Sequence, residues 1–152
     1  MPIRLSFRVG TELRGLIMPT GFRILAAVIA GMLVAFILLV AVELFSAVVY
    51  PLPSDFGGTM EEMCQHVSRY PQWVLALVVP AWGVTAFVST WIANRIGSRG
   101  PALFIGLLLL AAVVFNVSML PYPIWFKILN LLVIPIAIAV GSRNVIGSNK
   151  QT

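Results

Sequence analysis

The chain is short of nearly every group that soluble proteins use to do chemistry. Its 152 residues include five Asp and Glu, one His and one Cys. Charged residues make up 10% of it, against about 25% in an ordinary soluble domain. The single Cys64 excludes an internal disulfide and any C-x-x-C metal or redox motif. The single His66 shares its segment with Cys64, and two ligands make an incomplete metal site. No Ser-His-Asp set falls at a plausible common depth, and no Gly-rich phosphate loop is present. These shortages predict a protein that is not an enzyme and needs no cofactor.

What the chain has is hydrocarbon. Hydrophobic residues make up 60% of it, with a mean hydropathy of +1.00. Four apolar runs, at 24–49, 73–92, 101–120 and 124–140, approach or exceed the roughly 20 residues that a helix needs to cross a ~30 Å hydrocarbon layer. The first is too long for the roughly 7–15-residue core of a secretory signal, and no small-x-small cleavage site follows it. The fold class expected is all-α, an integral membrane four-helix bundle. Residues 1–23 form a basic tail. Residues 24–142 form the membrane domain, with spans at 24–50, 72–94, 101–120 and 124–142 and one long loop at 51–71. Residues 143–152 form a second tail.

The basic residues orient the spans. Arg4, Arg8, Arg14 and Arg23 precede the first, Arg95 and Arg99 separate the second from the third, and Arg143 and Lys150 follow the fourth. Only Arg69 and Lys127 fall on the other side. Cytoplasmic segments carry the Lys/Arg excess, so both termini are expected in the cytoplasm. Orientation and attraction to anionic lipid account for the net charge of +5 without nucleic acid. The partners expected are the lipid bilayer and a homo-oligomer or larger membrane complex.

The long loop carries a helix signal. Thr59 and Glu62 have the spacing of a capping box. Met60, Met63, Val67 and Tyr70 recur as one apolar helical stripe. A short amphipathic helix is expected on the outer surface or capping the bundle, ending at Tyr70 because Pro71 follows. Its Cys64 and His66 are expected on a solvated face, with Glu62 and His66 close enough to pair. A pH-responsive lid is the alternative reading of His66. Small residues recur at Ala27, Gly31 and Ala35 and at Ser89, Ala93 and Gly97. Such stripes let helices approach closely, inside one chain or between two. Pro80 and Pro135 interrupt the second and fourth spans and are expected to kink them.

The exception to all this hydrocarbon is Glu43. It lies seven residues inside the end of the first span, roughly 10 Å deep at 1.5 Å per residue. A carboxyl group at that depth is costly unless it keeps a proton or finds a donor. Candidate partners at matching depth are Trp82, Thr85, Asn116, Lys127 and Asn130, and Ser46 and Tyr50 share the helix face of Glu43. A polar cluster around Glu43 is therefore expected, with Asn116 and Lys127 the favoured partners and Asn130 next. It reads either as interhelical glue or as a site for a proton, ion or small ligand.

The pattern Glu43-x2-Ser46-x3-Tyr50-Pro51-x-Pro53, with "PAWG" in the second span and "LPYPIWF" before the fourth, resembles a group of small four-span bacterial membrane proteins of uncharacterised function. The resemblance implies the topology and a bacterial plasma (inner) membrane location, and it implies no activity. The function expected is that of an accessory or scaffold subunit acting through helix packing. The alternative is a small proton- or ion-coupled transporter or channel centred on Glu43.

Overall fold

The computed structural model describes residues 20–143, and the tails at 1–19 and 144–152, with Arg4, Arg8, Arg14 and Lys150, lie outside the described residues. Helix α1 runs Thr20–Val49, α2 Met60–Ser68, α3 Gln72–Ile96, α4 Arg99–Met119 and α5 Ile124–Gly141. All but α2 are long and apolar enough to cross a membrane, which makes this a multi-pass membrane protein built as a helical bundle. Helix α1 starts four residues ahead of the expected span, so Arg23 belongs to its first turns.

The turns follow from local chemistry. Pro71 and Pro123 stand just ahead of α3 and α5 as their N-cap residues. Pro101 falls in the first turn of α4, where a missing N–H costs little. The interior prolines, Pro80 and Pro135, lie within helices that continue past them. In α2 the capping box forms as the spacing predicted. Thr59 Oγ1 accepts from the Glu62 N–H at 3.2 Å, and Glu62 Oε2 accepts from the N–H groups of Thr59 at 3.1 Å and Gly57 at 3.0 Å. The helix ends at Ser68, two residues before Tyr70.

Helix α3 is the hub. It packs against α1, α4 and α5, while α4 also touches α1 and α5. Helices α1 and α5 flank α3 without meeting each other. Burial follows this arrangement, with half of the α3 window buried against 17% of the α1 window. Val74, Leu75, Val78, Val79 and Trp82 of α3 join Val113 and Val117 of α4 and Phe126, Ile134 and Ile138 of α5 in the larger core. A smaller core joins Ala93 to Ala102 and Ile105.

The two small-residue stripes meet inside the chain. A Cβ built on Gly31 would stand 3.1 Å from the Ala93 Cβ and 3.1 Å from Ile105, and one on Gly97 would stand 2.6 Å from the Ala27 Cβ. At Gly97 a Cβ would force a shift, and at Gly31 its neighbours would have to give by a few tenths of an ångström. Such contacts matter more in lipid than in water, because burial from lipid brings little hydrophobic gain and packing carries the association.

Arg23 locks the same end. Its Nε donates to the Ile96 carbonyl at 2.9 Å and its Nη2 to the Gly97 carbonyl at 2.9 Å. The guanidinium thus caps the last carbonyls of α3, where a cation also suits the helix dipole. Asn94 Nδ2 donates to the Arg143 carbonyl at 3.0 Å and ties the end of α5 to α3. Arg23, Arg95, Arg99 and Arg143 therefore gather at one end of the bundle, the basic end.

Candidate functional site at the aromatic end

Along α1 the positions Ala27, Gly31, Ala35, Leu39, Glu43 and Ala47 follow one another at four-residue intervals, on one slowly turning face. Burial fades along this row. The first three are buried, Leu39 is half-buried, and Glu43 and Ala47 are exposed. The row changes from small residues to Leu39 and Glu43, so close approach to α4 stops after Ala35 and the seam opens.

The opening is a cavity of about 510 Å³ between the ends of α1 and α4, roofed by α2. Glu43, Ser46 and Tyr50 line it from α1, Met63, His66 and Val67 from α2, and Asn116 and Met119 from α4. Tyr70 and Tyr122 close it from the two turns. Glu43, Ala47 and Asn116 also border a second cavity of about 600 Å³ that runs down the seam past Phe36, Leu39, Leu109, Ala112 and Trp82. The carboxylate stands where the two meet.

Its polar surroundings are incomplete. Among the described residues no side chain donates a hydrogen bond to Glu43, which corrects the expectation of a donor from another span. Asn116 reaches both cavities, and its Oδ1 is buried without a partner. The indole N–H of Trp82, on the wall of the second cavity, is likewise buried and unpartnered. Lys127 and Asn130 are not partners, because both sit on α5 and α3 stands between α5 and α1. Lys127 lies outside both cavities. Asn130 is fully buried and donates to the Phe126 carbonyl of its own helix at 2.9 Å. Thr85 bonds the Ala81 carbonyl at 2.9 Å and faces the opposite flank of α1, beside Leu38, Val42 and Phe45. The structure thus brings together Glu43, Ser46, Tyr50 and Asn116, with Trp82 alongside, and leaves Thr85, Lys127 and Asn130 elsewhere.

Three residues outside the expected cluster join it. His66 is only 8% exposed, so it does not face solvent. Its ring stacks on Tyr50 with centroids 4.5 Å apart, Tyr50 contacts Tyr70 at 4.8 Å, and Tyr70 meets His66 edge-on at 5.3 Å. Tyr122 packs on Phe126 at 4.7 Å. The signal for His66 was present in the stripe itself, since Met63, His66, Val67 and Tyr70 are successive three- and four-residue neighbours. The expected Glu62–His66 pair does not form, because the Glu62 carboxylate turns back to cap its own helix.

Electrostatics follow burial. Desolvation lowers the His66 pKa below its ordinary 6.5, and the nearby Tyr50 carbonyl opposes the shift without reversing it. Burial raises the Tyr70 phenol; the Ser46 hydroxyl opposes this and the charge of Glu43 adds to it. Burial, then the Glu43 charge, pushes Tyr122 upward as well. The phenols therefore stay protonated at neutral pH, and the imidazole is mostly neutral. Glu43 is the acidic side chain on the cavity wall, among these aromatic side chains. Among the described residues no group of three or more His, Cys, Asp or Glu could hold a metal ion.

Compared with protein-family models, curated proteins and solved structures, the chain matches none of them.

Proposed function

We propose that the protein is a small proton- or ion-coupled carrier whose binding site is the aromatic-end cavity, with Glu43 as the group that exchanges a proton for a cation. The observation that carries this reading is a carboxyl group at membrane depth that has no hydrogen-bond donor among the described residues, facing about 510 Å³ of open cavity. Ionisable groups at such positions are costly and mark pathways for ions, protons or ligands. A carboxylate held as glue would instead have its donor. The packing argument for an accessory subunit is weaker, because the small-residue stripes that suggested it meet within the chain. That reading keeps only the broad apolar face of α1, which lipid also covers.

The arginines at the basic end support an orientation with that end in the cytoplasm and the cavity on the opposite side. The resemblance to small four-span bacterial proteins supports a bacterial plasma membrane. The same reading assigns the chain no enzymatic step. Proteoliposomes containing a trapped pH dye and loaded in turn with sodium, potassium or tetramethylammonium test the exchange. At least one outward cation gradient is expected to acidify the lumen faster than in protein-free vesicles, and Glu43→Gln to abolish the difference. Rates equal to those of empty vesicles for every cation, or unchanged by Glu43→Gln, would contradict it.

A further inference from the structure

The cavity does not end at Glu43. The seam cavity of about 600 Å³ starts at Glu43 and Asn116 and continues past Phe36, Leu39 and Leu109. A further pocket of about 240 Å³ shares those three residues and reaches Met32 and Ile105. From Glu43 to Met32 this row is about 16 Å long at 1.5 Å per residue. Its walls are apolar apart from the Glu43–Asn116 end and the Trp82 indole N–H.

We infer that the ligand is an amphipathic cation, with an ammonium head among Glu43, Tyr50, Tyr70 and Tyr122 and one alkyl chain laid along the α1–α4 seam. The inference rests on the carrier reading and names its substrate class. Charge complementarity selects the head. Glu43 is the acidic group on the cavity wall and bears a negative charge once it gives up its proton, and aromatic side chains beside it attract a weakly hydrated cation. An anionic head would meet the carboxylate and find no cationic side chain on the cavity wall. Shape selects the tail. A compact ion would fill the head cavity alone and leave the seam unused, whereas an extended alkyl chain matches its length and apolar walls. The lateral opening of the seam gives such a ligand access along the hydrocarbon layer.

The test uses the full chain in nanodiscs of zwitterionic lipid, titrated calorimetrically with octyltrimethylammonium, tetramethylammonium and octanol against empty nanodiscs. Octyltrimethylammonium is expected to bind saturably, about tenfold more tightly than tetramethylammonium, and octanol to show partitioning alone. Glu43→Gln should weaken both cations by about tenfold or more. Ala112 lines the seam and is not among the residues lining the head cavity, so Ala112→Trp adds bulk to the seam. It should weaken octyltrimethylammonium by about tenfold and leave tetramethylammonium within about twofold. If both cations bind equally and Ala112→Trp changes neither, the seam has no part in binding and the inference falls, while Glu43-dependent binding would still support the carrier reading. If neither cation binds saturably, the inference and the cation site fall together.

Discussion

At the basic end, Ala27 and Gly31 of α1 press on Ala93 and Gly97 of α3, and Arg23 ties the two helices through two hydrogen bonds. At the aromatic end the same row of α1, continued through Leu39 to Glu43, faces open space. One helix thus does two different things along its length. Where its residues are small, backbones meet and their polar ends are capped. Where they are larger and one is ionisable, the helices part and polar groups are left without partners. For α1, close packing belongs to the first end and binding capacity to the second, while the larger core is built by α3, α4 and α5.

The largest effect that sharpens this contrast is overpacking. Gly31→Leu forces a branched side chain into a contact that is already tight for a Cβ, so about 3 kcal/mol of stability should be lost. Ala47→Leu, four residues past Glu43 on the cavity wall, should stay within about 0.5 kcal/mol. Unfolding of both variants in the same mixed micelles measures the pair, and equal losses would erase the distinction between the ends.

Next in size is the Arg23 cap. Arg23→Ala removes two charge-assisted hydrogen bonds at the α3 terminus and should cost about 1–2 kcal/mol. Arg69→Ala, in a separate pocket with Asp55 and Glu62 at the aromatic end, breaks no such cap and should leave unfolding nearly unchanged. A cost at Arg69 that matched or exceeded that at Arg23 would move the electrostatic lock to the wrong end.

The smallest effect is local and depends on pH. His66 packs neutral against Tyr50 and Tyr70, with Asp55, Glu62 and Arg69 lining a separate pocket on one side of it and Glu43 facing the site cavity on the other. Its pKa in the fold lies below the ordinary 6.5, so protons favour the undocked state. Docking of α2 is at full strength above pH 6.5 and weakens as the pH falls through the folded value. Amide protection in residues 60–68, corrected for the intrinsic pH dependence of exchange, should fall on acidification, and His66→Phe should flatten that dependence. A profile unchanged by His66→Phe would assign the pH response to another group.

The helices could be read from the sequence because their signals are local. Four apolar runs, Pro71 and Pro123 at the starts of α3 and α5, and Thr59 with Glu62 as a capping box each depend on residues a few positions apart. The capping partners of Arg23 could not be read, because Ile96 and Gly97 lie more than seventy residues away. The site was legible in part. Depth suggested Asn116 and the helix face suggested Ser46 and Tyr50 beside Glu43, and the four line one cavity. Depth alone could not tell that α5 stands behind α3, and so it misplaced Lys127 and Asn130. His66 was misread for a related reason. A polar residue on a short surface helix normally faces water, and its burial depends on Tyr50 reaching the same spot from the end of α1.

The contrast between the two ends rests on Glu43 being kept for a ligand and contributing nothing to the bundle. The measurement that tests this most directly is the unfolding free energy of Glu43→Gln against the parent protein in the same micelles. The account predicts a change within about 0.5 kcal/mol, or a slight gain, because the carboxyl group has no partner among the described residues to lose. A loss of more than about 2 kcal/mol, the size expected when a member of a satisfied buried network is removed, would make Glu43 a structural residue and contradict the account.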